Sequence, residues 1–165
     1  MDYYKNNKLK CNGYIYKESE FSKNIINKIK LHDPNIVVIT GHDAFNKKTH
    51  KYRNSLYFID TVKEIRKYYK DVNGILIVAG ACQSDYVNLI KAGSTFASSP
   101  SGINIHCLDP AIIATSLALS DFDKLIDIKS VLSNTNSNFD GYGGIIINGK
   151  LIKGFPRKDI NWILT

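Results

Sequence analysis

Two short stretches carry the residues able to do chemistry. One reads V-V-I-T-G-H-D from Val37, and the other I-V-A-G-A-C-Q-S from Ile77. Each is an apolar run followed by a small residue and then a side chain that can move a proton or attack a carbonyl. A thiol at neutral pH is mostly protonated, so Cys82 needs a base or a positive field to become a nucleophile. The imidazole of His42 titrates near working pH. It can take that proton and pass it to a leaving amine. The chemistry expected is acyl transfer through a thioester, with Cys82 and His42 as the catalytic pair. The backbone N–H groups of Cys82 and Asp43 are the expected oxyanion donors. Gly80 and Ala81 keep bulk out of the substrate's path. A helix read as starting just after Cys82 would favour the thiolate.

The histidine precedes the cysteine. Papain-like and amidotransferase-like chains place Cys first, whereas caspases place His roughly 50 residues upstream of a Q-A-C signature. Here the order is caspase-like and the dipeptide is Ala81-Cys82, with Asp43 where that group has Gly. A rival pair, Cys82 with His106, has papain-like order but a short separation. Cys11 and Cys107 are read as unreactive, and His32 and His50 as solvated loop residues. Three cysteines without a C-x-x-C pair argue against a disulfide framework and a zinc finger. His42, Asp43, His50 and His106 lack a metal-ligand spacing. Gly141, Gly143 and Gly144 do not form a G-x-G-x-x-G fingerprint. No metal or cofactor is expected.

The elements that position these residues follow from periodicity. Ile36–Ile39 and Ile75–Ala79 are continuous apolar runs, as expected of strands buried on both faces of a parallel sheet. Gly13–Lys17, Thr95–Ala97, Ile103–His106 and Ile145–Ile147 are read as further strands. Phe21, Ile25, Ile26 and Ile29 recur at helical spacing, as do Phe58, Val62, Ile65 and Tyr69. Ser84 is read as the cap of a helix that Gly93 stops. Asp109-Pro110 opens a helix to Leu119, and another is read over Asp121–Leu132. Ala44–Ser55 and Ser133–Asn138 are read as polar loops, and the tail as basic and peripheral. Strands alternating with helices predict one α/β domain over 1–165 with a mainly parallel sheet. Ligands of such sheets gather at the carboxyl ends of strands, where His42 and Cys82 lie.

With 44% hydrophobic residues in a chain of 165, a real core is affordable and disorder is excluded. No apolar run reaches the roughly 20 residues of a membrane-spanning helix. Met1–Lys10 lacks the apolar centre of a secretory signal, so a cytoplasmic chain is the default expectation. The net charge of +7 is spread over scattered lysines rather than a stripe interleaved with aromatics. That predicts a solvated basic surface and no nucleic-acid partner.

Five blocks carry a resemblance: I-T-G-H-D-A-F from Ile39, K-Y-R-N-S-x-Y-F from Lys51, I-V-A-G-A-C-Q-S-D-Y from Ile77, A-G-S-T-F-A-S-S-P from Ala92 and I-N-I-H-C-L-D-P from Ile103. Together, over Ile36 to Pro156, they resemble the YabG family of sporulation-specific proteases. The resemblance implies a cysteine endopeptidase of caspase-like architecture that processes spore coat and germination proteins, cuts after basic residues, and works in the mother cell or spore coat. It implies His42 and Cys82 as the functional pair. Members are usually longer, with an N-terminal segment that this chain is expected to lack. An inactive, peptidase-like module docking coat proteins is the alternative. A basic side chain before the cut requires a carboxylate. Related enzymes of that specificity carry Asp two residues before the cysteine, and here that residue is Gly80. The acid is therefore sought at Asp109 and Asp85, with Asp43 and Asp60 behind them. Tyr52–Ser55 is either a helix N-cap or a loop on the substrate side.

Overall fold

The computed structural model describes residues 1–152. In chain order the elements are α1 (Asp2–Asn6), a 3-10 turn (Glu18–Glu20), α2 (Phe21–His32), β1 (Ile36–Ile39), β2 (Phe45–Asn46), β3 (Lys51–Tyr52), α3 (Ser55–Tyr68), β4 (Leu76–Ala79), α4 (Tyr86–Ala92), β5 (Phe96–Ser98), α5 (Asp109–Leu119), α6 (Ile128–Ser133), α7 (Asn138–Gly141) and β6 (Tyr142–Gly144).

Four strands form the main sheet in the order β1-β4-β5-β6. The pairs β1–β4 and β4–β5 are parallel, and β6 closes the edge antiparallel to β5. The expected mainly parallel α/β sheet is therefore present. The β-branched residues of β1 and β4 are stiff at χ1 and suit a pleated surface.

Alternation along these strands builds two cores. Val37, Ile39, Ile77 and Ala79 point to one face, where Ile29 of α2, Phe58, Val62 and Ile65 of α3, and Leu89 of α4 cover them. Leu76, Val78 and Phe96 point to the other face, against Ile113 and Leu117 of α5 and Leu132 of α6. β4 is buried along its whole length because helices cover both faces and strands flank both edges. Each such buried aliphatic side chain contributes about 1.5–3 kcal/mol through removal from water.

Several expectations need correction. Gly13–Lys17 and Ile103–His106 form no strand, because no neighbouring strand offers them a ladder. Ala44–Ser55 is not all loop: Phe45 pairs with Tyr52 and Asn46 with Lys51 in a small hairpin. The last strand is Tyr142–Gly144 rather than Ile145–Ile147, since Gly143 lets the chain lie close against the Tyr86 ring and Gly144 against the Phe96 ring. The helix read over Asp121–Leu132 shrinks to α6. Asp127 accepts from the Lys129 N–H and starts it there. Helix α4 is capped by Asp85 rather than Ser84, because the Ser84 hydroxyl is engaged elsewhere. The basic tail beyond residue 152 lies outside the described residues.

Candidate active site

Parallel pairing sets the geometry first. Ile39 and Ala79 are register partners at the ends of β1 and β4. His42 and Cys82 each lie three residues beyond that pair, so the sheet delivers both to the same carboxyl edge.

The chain leaves β4 by a turn that only glycine makes without strain. Gly80 has φ +111°, and a Cβ there would sit 2.2 Å from the Ser98 hydroxyl oxygen. That hydroxyl donates to the Ala81 carbonyl at 2.7 Å. The Ala81 N–H donates to Ser84 Oγ at 2.9 Å, and the Gln83 N–H to the Ile103 carbonyl at 3.1 Å. Gln83 is held at φ +53°, and its Oε1 accepts from the Phe45 N–H at 3.1 Å. Cys82 thus stands on a pinned turn with a half-buried thiol that donates to the Ile105 carbonyl at 3.7 Å. Among the described residues, the Cys82 and Asp43 N–H groups have no acceptor. Helix α4 begins at Tyr86 and not directly after Cys82, and the Asp85 carboxylate already caps its N-terminus. The field of that helix is therefore partly neutralised before it reaches the thiol.

His42 is clamped by its backbone and exposed at its ring. Its N–H donates to Glu18 Oε1 at 3.0 Å, and its carbonyl accepts from Asn54 Nδ2 at 2.7 Å. The side chain is 96% exposed, with Nδ1 lying 3.6 Å from Glu18 Oε1. No hydrogen bond joins His42 to Cys82. The link between their loops runs through Asp43, which is only 8% exposed. Its Oδ1 accepts from the N–H groups of Ala44 (2.9 Å) and Asn54 (2.8 Å). Its Oδ2 accepts from the hydroxyls of Ser55 and, at 3.0 Å, Ser84. Since Ser84 also accepts from Ala81, a chain of two hydrogen bonds connects Asp43 to the cysteine turn. The Ser55 hydroxyl in turn accepts from the Asp85 N–H at 2.8 Å.

On the other side of Cys82, Asp109 is fully buried. It accepts from the N–H groups of His106 (3.2 Å), Asn136 (2.8 Å) and Ser137 (3.2 Å), and from Asn136 Nδ2 at 3.0 Å. Burial alone would raise its carboxyl, but the bonds from Ser137, Asn136 and His106 outweigh that and hold it below the ordinary value. Those donors occupy both its oxygens. Asn136 Nδ2 also lies 3.2 Å from His106 Nδ1, so the second histidine is held against the same cluster. Beneath, the Tyr142 hydroxyl is buried and lacks a partner among the described residues. Burial, followed by the charges of Asp109 and Cys82, holds that phenol well above its ordinary value.

Asp85 is differently placed. An open groove of about 290 Å³ runs beside the cysteine turn, lined among others by Phe45, Tyr52, Gln83, Asp85, Val87 and Pro100. Phe45 and Tyr52 pack with ring centroids 4.9 Å apart. Burial, then the nearby Asp85 and Asp43 charges, hold the Tyr52 phenol above its ordinary value. Asp60 is exposed on α3, and Cys107 is exposed. His50 packs against Phe45, and His32 contacts the Tyr14 hydroxyl. Among the described residues no group of three His, Cys, Asp or Glu side chains could hold a metal ion, and no helix is long and apolar enough to cross a membrane.

Glu18, Asn136 and the bonds that Ser55 and Ser84 make to Asp43 had no sequence signal. Each is distant along the chain from the group it serves, and no fixed spacing encodes such contacts.

Comparison with known proteins gives the family. No solved structure matches the chain. It is 41% identical over 147 residues to the sporulation-specific protease YabG of Bacillus subtilis (strain 168), covering 86% of this chain and 51% of that protein. The chain thus spans about half the length of the curated relative it matches. Residues 1–156, including the whole carboxyl edge of the sheet, match the family described as YabG peptidase U57. On both counts, the chain belongs to the YabG peptidase family.

Proposed function

We propose that this chain is the peptidase unit of a sporulation protease, with Cys82 as nucleophile and His42 as base. The observation that carries the proposal is the shared position of His42 and Cys82 beyond the Ile39–Ala79 register pair, with their loops tied through Asp43 and Ser84.

His42 takes the thiol proton, and the thiolate sulfur attacks the peptide carbonyl carbon. The oxyanion that forms accepts from the unengaged N–H groups of Cys82 and Asp43. The C–N bond breaks as the imidazolium gives its proton to the departing amine, leaving a thioester. Water, deprotonated by His42, then cleaves the thioester and returns the thiol. A ring that is free to rotate on a fixed backbone suits a base that must serve two partners in turn.

The groove beside Cys82 fits an extended basic side chain. Phe45 and Tyr52 offer ring faces, and Asp85 offers the carboxylate. Asp85 also accepts from the Asn88 N–H and side-chain amide, but it is preferred because it lines the groove, whereas Asp109 is fully buried. Protein substrates of the spore coat or of germination are the class this reading takes, with no cofactor.

The test is cleavage of a peptide series carrying Arg, Lys or Ala before the scissile bond. Cys82→Ala and His42→Ala should abolish cleavage with folds intact, and Asp85→Asn should raise KM for the Arg and Lys peptides alone. Normal turnover by folded Cys82→Ala would end the proposal, whereas a folded native chain that cleaves none of these peptides would favour a non-catalytic docking module.

A second reading rests on a separate observation: the thiol leans towards the Ile105 carbonyl, next to a His106 ring held by Asn136. In that case His106→Ala, rather than His42→Ala, would remove the reactivity of Cys82 towards iodoacetamide near neutral pH.

A further inference from the structure

The feature left unexplained is why a glutamate from before α2 reaches the histidine loop. Glu18 sits in the 3-10 turn that precedes α2, far from His42 in sequence, yet its Oε1 accepts the His42 N–H at 3.0 Å and lies 3.6 Å from the ring Nδ1. The space it crosses is left by Gly41. A Cβ at that position would meet Glu18 Oε1 at 2.8 Å and the Phe58 ring at 3.3 Å. Glycine before the histidine is therefore what admits the carboxylate. Among the described residues, Glu18 is the one acidic side chain paired with an imidazole.

We propose that Glu18 is the positioning acid of His42, making a Cys82–His42–Glu18 triad. This inference rests on the Cys82–His42 reading above. With His42 fixed at its N–H by Glu18 and at its carbonyl by Asn54, rotation of the ring is the motion left to it. A carboxylate beside Nδ1 selects the Nδ1–H tautomer and leaves the Nε2 lone pair free to take the proton of the Cys82 thiol. When the imidazolium forms, Glu18 stays ionised and stabilises the new charge, and no proton passes to it. The 3.6 Å separation is longer than a hydrogen bond, and a small ring rotation closes it, as catalytic contacts tighten when substrate binds. The His42 N–H bond, ahead of the attraction of the imidazole itself, holds the Glu18 carboxyl below its ordinary value, so the acid is charged throughout the neutral range.

A purely structural Glu18 would pin the loop without affecting the ring, and two measurements separate these cases. In 15N-labelled full chain at about pH 8, above the ordinary range of histidine, the imidazole nitrogen shifts of His42 report the tautomer. The native chain should show Nδ1–H, and Glu18→Ala should revert to Nε2–H. On a cleavable peptide, Glu18→Ala should lower kcat by roughly 10- to 100-fold with KM within about twofold, because a group acting through the base alters the transition state and not ground-state binding. Glu18→Gln keeps an acceptor for the His42 N–H and removes only the charge, so it guards against misfolding and should fall between native and Ala. A native tautomer in Glu18→Ala together with native kcat in Glu18→Gln would overturn the inference. Failure of the underlying pair is distinguishable: His42→Ala would then still cleave, whereas failure of Glu18 alone leaves His42→Ala dead.

Discussion

Asp43 and Asp109 are both buried carboxylates beside the Cys82 turn, and each gathers donors from segments distant in the chain. They differ in what those donors carry. Asp43 receives two backbone N–H groups and two serine hydroxyls, and one hydroxyl passes the connection on to the backbone of the cysteine turn. Asp109 receives three backbone N–H groups and one amide, all from 106 and 136–137, and passes nothing to that turn. A hydroxyl both accepts and donates, so it extends a network, whereas an N–H donor ends one. The first carboxylate therefore couples the histidine loop to the cysteine turn. The second builds a rigid wall facing them.

The largest effect that would test this contrast is at Asp43. Asp43→Ala strands four donors and should cost roughly 3 kcal/mol in urea unfolding. It should also lower kcat by about 100-fold or more, because the two loops lose their common anchor. Preserved kcat in the folded fraction would break the comparison.

Asp109→Asn should come next, at about 2 kcal/mol, since an amide presents an N–H group to donors in place of an oxygen. Its signature is acid dependence. The native carboxyl lies below the unfolded value of about 3.9, so its contribution is complete above that value and is lost as pH falls through the folded one. The variant should show a flatter loss of stability on acidification below about pH 5. An unchanged acid slope would mean that Asp109 is not held as described.

Ser84→Ala removes only the bridge. It should cost about 1 kcal/mol and still reduce kcat by about tenfold, a larger share of function than of stability. The smallest effect is expected at Tyr142→Phe. Its hydroxyl has no partner among the described residues, so melting should move by less than about 0.5 kcal/mol or towards greater stability. A clear destabilisation there would reveal a bond joining the two sides.

The sheet was legible because its code is local. Ile36–Ile39 and Leu76–Ala79 are runs of residues that fit a pleat, the helix pattern around Phe58 declares its buried face one turn at a time, and Asp109-Pro110 marks the start of α5. Where partners decide, local composition misleads. Ile103–His106 has a strand's composition but no adjacent strand. Tyr142–Gly144, with two glycines, is a strand only because Phe96–Ser98 lies beside it. Ser84 was legible as a capping residue but caps nothing, since Asp85 performs that task and the hydroxyl is drawn to Asp43.

By itself, then, the sequence determined the α/β class, the two strand ends, and the identity of the thiol and imidazole that stand on them. Periodicity and residue chemistry are properties of a few neighbouring positions, so these survive without a fold. Only the tertiary structure decided that Asp43 would tie the two loops, that Asp109 would be used up in a wall while Asp85 lines the groove, and that Glu18 would pass through the gap at Gly41 to reach His42. Each of these is a contact between segments far apart in the chain, made where packing of the sheet and its helices excludes water and forces every buried polar group to find a partner.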